Sequence, residues 1–320
     1  MTTPIKTIPW NGYAGAVSFT FDDALDSQIE NLKPILDEMR HVHTTFFVTN
    51  TGNNLMRNAT ALATLANAGH EIGNHTETHE HLSGIGDNAE ALQREIVLFA
   101  DTIEAVLAQK GAKVHVTSFA TPYCDNNDKV KSEIVKRHFI NRDCGWHGRN
   151  EWDIEPDWMG IKAKVWTRSA ASIWDENLWD SHVKEGAWLV ILNHGVTNDN
   201  ERDKSDDYAI DVSDIKKQLQ EATRDNLWIA PFGTVGAYYR AHFVIDKATA
   251  MTTNDGYTIQ WEIPNANMPA SIPLRVTIDT KDVGENAIVE QNGKVISPQN
   301  DRSYIIEFTA KSLNVRKSNT

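Results

Sequence analysis

Between residues 15 and 243, short apolar runs alternate with longer amphipathic stretches. This alternation confines the chain to a parallel sheet joined by crossover helices. Runs at 16–21, 44–49, 71–74, 116–120, 139–142, 163–167, 187–192 and 227–231 read as strands. The segments 27–40, 59–68, 89–110, 128–137, 176–184, 211–225 and 235–242 read as helices. The third of these carries Leu92, Ile96, Phe99, Ile103 and Leu107 at helical spacing. That many strands can curl, so the expected fold is an α/β chain forming a (β/α) barrel. Asp22, Asp23, His75, Tyr123, Asp143 and His194 all fall at or just past the C-terminal end of a predicted strand. Parallel α/β folds build their sites on that edge.

From about residue 243 the helical period disappears. Runs at 257–263, 274–278, 287–290 and 304–308 alternate apolar and polar residues between turn signals such as Asn254-Asp255-Gly256 and Asn292-Gly293. They predict a small, sandwich-like antiparallel β module. The expected domains are therefore 1–243, catalytic, and 244–320, accessory: a carbohydrate-binding, dimerising, lid or passive packing unit.

A net charge of −13 disfavours nucleic acid and anionic membranes as partners and suits a neutral or cationic substrate. No run approaches the length of a membrane span. The opening stretch lacks the apolar core of a signal peptide, so the expected location is cytoplasmic, or secreted or periplasmic if a leader has been removed. Cys124 and Cys144 are the only cysteines. The expectation is two reduced thiols packed as small hydrophobes, without a metal role.

The chemistry-bearing residues form a coherent set. Successive residues at a strand end point in different directions, so one of Asp22 and Asp23 can face a metal while the other faces its bound water. His75 and His79 are spaced i,i+4, which in a helical turn puts them roughly 40° apart on one face. One carboxylate and two imidazoles make a facial ligand set that leaves positions open for water and substrate. Glu77 lies two residues after His75 and would turn away from that face, so it is not the base of an H-E-x-x-H site. Thr76 is placed to brace the turn through a side-chain-to-backbone hydrogen bond. Pro122 stiffens the backbone before Tyr123, whose amide could donate to an oxyanion. His194 ends an apolar strand and suits a general acid. Trp146, Trp166 and Trp174 lie in a loop-rich segment, available to stack on sugar rings or to pack in the core.

Three patterns carry a resemblance: T-F-D-D at residues 20–23, H-T-x-x-H at 75–79 and L-x-H at 192–194. Over about residues 10–243 the chain resembles the polysaccharide deacetylases of carbohydrate esterase family four, the NodB-homology enzymes. The resemblance implies a distorted (β/α) barrel. It also implies that Asp22 is the catalytic base, that Asp23, His75 and His79 hold the metal, and that Tyr123 supplies the oxyanion amide. Leu192 would line the acetyl pocket and His194 would be the acid. The implied cofactor is Zn2+, or another divalent metal such as Co2+ or Ni2+. The implied reaction removes the N-acetyl group of an amino sugar, N-acetylglucosamine or a chitooligosaccharide, and releases acetate. An O-acetyl xylan esterase, an imide- or allantoin-type amidohydrolase and a sugar-binding pseudoenzyme are the alternatives; a homo-oligomer is compatible with any of them. The chain departs from the family in two places. Ala120 stands where the R-x-P-[FY] motif has the arginine that orients the base. The segment Asp143-Cys144-Gly145-Trp146 is the candidate for the motif that tunes the acid histidine, with Asp143 behind it and Trp146 against the substrate.

Overall fold

The computed structural model describes residues 3–144, 148–166, 185–198, 208–224, 226–284 and 286–318. The predicted helix at 176–184, Trp146 and Trp174 lie outside the described residues. The chain divides into two compact units, one of residues 13–235 and one of 1–12 with 236–320. β1 (Ile5–Thr7) belongs to the second.

The first unit is built on one large curled sheet covered by helices. β2 (Gly15–Asp22), β3 (Thr45–Val48), β4 (Glu71–Asn74), β5 (Ser118–Ala120) and β6 (Ile140–Arg142) are all parallel, in the order β6-β5-β4-β3-β2. β7 (Arg149–Glu151) and β8 (Lys164–Val165) both pair with β9 (Ala187–Asn193), which lies parallel to β2 on its other side. β10 (Val196–Thr197) and β11 (Ile210–Asp211) form a separate parallel pair. β12 (Leu227–Ile229) pairs with Gly15, Ala16 and Val17 of β2, whereas β3 pairs with Thr20, Phe21 and Asp22. One edge of β2 therefore passes from one neighbour to another partway along its length, which distorts the barrel. The α/β barrel expected from the alternation is the fold observed.

β2 is buried throughout, as a central strand of a covered parallel sheet should be. Its period-two alternation sorts the side chains. Val17, Phe19 and Phe21 pack outward with Leu62, Ile103 and Leu107 of the covering helices. Each such burial contributes about 1.5–3 kcal/mol. Ser18, Thr20 and Asp22 alternate with them, and all three are buried polar groups with hydrogen-bond partners. The β2 strand thus carries a polar stripe that ends at the site.

The long helical run at 89–110 is real but not uniform. A π-type turn, Arg94–Leu98, separates the helices Ala89–Gln93 and Phe99–Gln109. A second, Gln28–Leu32, precedes the helix Lys33–Glu38. Both touch the site described below, a common setting for π-turns.

Apart from a 3-10 turn at Pro9–Gly12 and the helical residues after 236, the regular structure described in the second unit is β. It contains a three-stranded antiparallel sheet of β1, β15 (Pro273–Ile278) and β18 (Tyr304–Glu307). A five-stranded antiparallel sheet takes β13 (Thr249–Thr252), β14 (Gly256–Gln260), β16 (Ile288–Gln291), β17 (Lys294–Val295) and β19 (Ser312–Arg316). Ile259, Trp261, Leu274, Val276, Val289, Phe308 and Val315 are among its buried apolar residues. Because Ile5 pairs with Ile278, residues 1–12 go with this module, so the observed boundaries differ at both ends from 1–243 and 244–320. Among the described residues, no helix is long and apolar enough to cross a membrane.

Candidate metal and catalytic site

β2 ends at Asp22, and the backbone then turns through positive φ at Asp23 (76°) and Ala24 (53°). Left-handed backbone at a non-glycine residue costs about 1–2 kcal/mol. Two side chains of the helix Asn54–Asn67 hold the turn: Asn54 donates to the Asp23 carbonyl and Asn58 to the Ala24 carbonyl, each at 2.9 Å. The sharp turn directs the Asp22 and Asp23 carboxylates differently. Asp22 faces the barrel interior, and Asp23 faces the loop that follows β4.

That loop carries His75 and His79, and here the structure corrects an expectation. The two histidines are not on a helical turn, because Thr76 (φ 67°) and His79 (φ 60°) lie in the left-handed region. Side chains shape the loop instead. The Thr76 amide donates to Asn74 Oδ1 at 2.9 Å, and the His79 amide donates to Thr76 Oγ1 at 3.0 Å, the bracing role expected of Thr76. Thr78 donates through its amide and its hydroxyl to the buried Glu95, at 2.9 and 3.0 Å. Glu95 sits in the π-turn, whose Ile96 carbonyl accepts from Asn74 at 2.7 Å. The π-turn thus grips the loop from beneath.

The imidazole rings end up 4.9 Å apart. Both Nε2 atoms approach Asp23 Oδ1, at 3.8 Å from His75 and 3.4 Å from His79. The His75 Nδ1 lies 2.8 Å from the Ala120 carbonyl and the His79 Nδ1 3.0 Å from the Tyr123 hydroxyl. If each Nδ1 carries the ring proton and donates it, each Nε2 is left with a lone pair aimed at the same point.

These residues fit a divalent cation. Among the described residues, this is the one group of three His, Cys, Asp or Glu side chains able to hold a metal ion, with donor atoms within 4.8 Å of one another. Donors bound at about 2.0–2.1 Å in a tetrahedral set stand about 3.4 Å apart, close to the separations found here. Asp23 Oδ1 is buried without a hydrogen-bond partner, although a carboxylate oxygen is a strong acceptor. Burial, and then the neighbouring charge of Asp22, push the Asp23 carboxyl up to about 6. Burial also takes the His75 imidazole down to about 3 against the pull of Asp22, and lowers that of His79. Neutral imidazoles beside an under-compensated carboxylate, that of Asp23, are the state that a cation stabilises.

Arg142 is a site residue that the sequence reading missed. Its guanidinium grips Asp22 with both arms, Nη1 to Oδ1 at 2.7 Å and Nη2 to Oδ2 at 2.6 Å, and Nη1 also donates to Thr20 at 2.8 Å. It stands 5.0 Å from the centre of the Phe47 ring and is 1% exposed. Burial alone would raise the Asp22 carboxyl, but Arg142, with His75 and His194, takes it down to about 2. Asp22 is therefore a carboxylate at any ordinary pH. No local motif marks Arg142, which lies 120 residues from its partner.

His194 places its Nε2 3.9 Å from Asp22 Oδ2, on the other side from His75 at 3.7 Å. Its Nδ1 is buried without a partner among the described residues. Gln28, in the first π-turn, donates to the carbonyls of both Asp22 and His194 at 2.6 and 2.9 Å, tying the two strand ends together. A cavity of about 520 Å³ opens over these groups, with Leu192, Thr121, Tyr123 and Tyr208 in its walls. Tyr208, edge-on to His194 at 5.1 Å, had no signal in the sequence. Tyr123 is 57% exposed and stacks on His81 at 4.0 Å, with positive φ (55°) at its own position.

Two further expectations change. Cys124 and Cys144 form a disulfide with Cα atoms 5.5 Å apart, rather than two reduced thiols, and both line the cavity. Asp143 turns its carboxylate to the Cys144 amide at 2.8 Å and to Asn126 at 3.4 Å, not to His194. Of the two roles open to Trp166, the structure gives it packing in the apolar core. Trp146, expected against the substrate, lies outside the described residues.

Residues 11–139 match the profile of a protein family described as polysaccharide deacetylase. Over 313 residues the chain is 21% identical to a gellan lyase from Bacillus sp., an alignment that covers 91% of this chain and 12% of that protein. The chain thus spans only a small part of this curated relative. Among solved structures, a Mycobacterium smegmatis protein assigned as a polysaccharide deacetylase superposes with a TM-score of 0.50 at 20% identity, covering 76% of this chain and 96% of that one. A family 4 carbohydrate esterase from Streptomyces lividans, solved with acetate, gives 0.44 at 18% identity over 68% and 92% of the respective chains. The Mycobacterium smegmatis likeness supports the fold, and the activities of these proteins are their own.

Proposed function

We propose that this chain, whose residues 11–139 match the polysaccharide deacetylase profile, is a divalent-metal hydrolase that removes the N-acetyl group of an amino sugar, such as N-acetylglucosamine or a chitooligosaccharide, and releases acetate. The observation that carries this reading is the orphaned Asp23 Oδ1 facing two imidazole Nε2 atoms, with a separate carboxylate, Asp22, beside them. Asp23, His75 and His79 would hold the ion; imidazole and carboxylate donors suit Zn2+, and also Co2+ or Ni2+. When bound, such an ion polarises the acetyl carbonyl and acidifies water.

The remaining steps belong to the protein. With its carboxyl at about 2, Asp22 is a weak proton acceptor by itself, so it takes a proton only from water that is already acidified. The Tyr123 amide donates to the developing oxyanion, and the 3%-exposed Leu192 packs against the acetyl methyl. His194, across Asp22 from His75, protonates the departing amine. Arg142 grips both oxygens of Asp22 although position 120 is alanine, which weighs against a sugar-binding pseudoenzyme. The Cys124–Cys144 disulfide favours an oxidising compartment over the cytoplasm.

The test is acetate release from N-acetylated chitooligosaccharides by the metal-free protein and after addition of Zn2+, Co2+ or Ni2+. Asp22→Asn should abolish turnover while metal stays bound, and persistent turnover would remove Asp22 as the base. Acetate from acetylated xylan alone would select the esterase; hydrolysis of imides without acetate would select the cyclic amidohydrolase.

A further inference from the structure

Ala120 and Arg142 are direct register partners on the adjacent parallel strands β5 and β6. Side chains at paired positions leave a sheet at the same height and on the same face. Ala120 ends in a methyl group and is fully buried, so its side chain does not reach across the interior. Arg142 crosses this space to β2 and reaches both oxygens of Asp22, with its guanidinium over Phe47 on the intervening β3.

We infer that Arg142 is a positioning residue for the hydrolytic reaction, its guanidinium fork fixing the plane of the Asp22 carboxylate so that Oδ2 faces the space between His75 and His194. The inference rests on the reading of Asp22 as the base. Two features mark a built device rather than an incidental buried ion pair. Thr20 fixes the guanidinium independently by accepting from Nη1 at 2.8 Å while its own hydroxyl donates to the Ile191 carbonyl at 2.8 Å. Asp22 Oδ2, held at 2.6 Å by Nη2, is also the oxygen nearest both histidines, 3.7 Å from His75 and 3.9 Å from His194. Lysine would keep the charge but lose the two-armed grip, because an ammonium is a point charge on a flexible stem.

The experiment compares wild type, Arg142→Lys, Arg142→Ala, the relocation variant Ala120→Arg/Arg142→Ala, and Asp22→Asn. Each is assayed for kcat and KM on an N-acetylated chitooligosaccharide, for bound metal by elemental analysis, and for folding by circular dichroism. A misaimed base costs on the order of a hundredfold, so kcat of Arg142→Lys should fall about a hundredfold with KM and metal content little changed. The relocation variant should regain about tenfold or more over Arg142→Ala, since position 120 is one strand nearer to Asp22 at the same height. If Arg142→Ala does not fold, Arg142→Lys carries the test alone. Native kcat in folded Arg142→Lys, or a loss of activity matched by an equal loss of metal, overturns the inference. Should Asp22→Asn be inactive while Arg142→Lys is native-like, only the role of Arg142 fails; should Asp22→Asn remain active, the assignment of the base fails with it.

Discussion

The Nδ1 of His75 and the carbonyl of Ala120 lie 2.8 Å apart, so the main chain of β5 sets the tautomer of a side chain at the end of β4. A ring that donates from Nδ1 presents Nε2 as a ligand. His75→Ala removes that ligand and leaves Asp23 with one imidazole. Bound Zn2+, measured by elemental analysis after dialysis, should fall by about tenfold or more. Full metal retention would mean that another set of residues holds the ion.

Tyr123 does for His79 what the Ala120 carbonyl does for His75, through its hydroxyl at 3.0 Å. Tyr123→Phe deletes this partner and leaves the backbone amide in place. Metal affinity, from competition with a chromogenic chelator, should drop about tenfold, whereas kcat at saturating metal should stay near the native value. A fall in kcat with unchanged affinity would move the importance of Tyr123 from the ligand to the substrate.

The disulfide joins the residue after Tyr123 to the second residue after Arg142, so it ties the Tyr123 loop, proposed to supply the oxyanion amide, to the end of the strand whose arginine grips Asp22. A closed loop of 20 residues contributes about 3 kcal/mol through the unfolded chain. Cys124→Ser/Cys144→Ser should therefore lower denaturant stability by about that amount and lower kcat as the two walls of the cavity loosen. Equal kcat in the oxidised and reduced proteins would restrict the bridge to a stabilising role.

What the sequence disclosed follows from the range of each interaction. The Asp22-Asp23 pair, the two histidines and His194 were visible because each abuts its own strand, and strands betray themselves through local apolar patterning. The helical turn assumed for His75 and His79 failed because i,i+4 spacing says nothing about φ. The loop takes its shape from Asn74, Thr76 and Glu95, side chains that compete with helical hydrogen bonding. Arg142, Tyr208 and the Cys124–Cys144 bond were hidden because each depends on a partner from a distant strand or loop, and sequence spacing does not encode that proximity. The same limit concealed β1, whose register with β15 links residues more than 260 positions apart.

Glu71 gives the fold a pH dependence that can be isolated from the active site. It is a buried carboxylate at the start of β4, accepting from Thr45 at 2.8 Å, Ser118 at 2.7 Å and the amide of Gly233 at 2.8 Å. Burial outweighs these donors and raises its carboxyl above the ordinary range. The folded protein therefore holds this proton more tightly than the unfolded chain does. The contribution to stability is complete below the unfolded value and is lost as pH rises through the folded one. Glu71→Gln keeps an acceptor for Gly233 and a donor for Ser118 but cannot ionise. Denaturant titrations of both proteins from mildly acidic to neutral pH should show the variant gaining on the wild type as pH rises. A stability difference that stays constant with pH, or shrinks toward neutrality, would show that the three donors stabilise the ionised form fully and that burial costs it nothing.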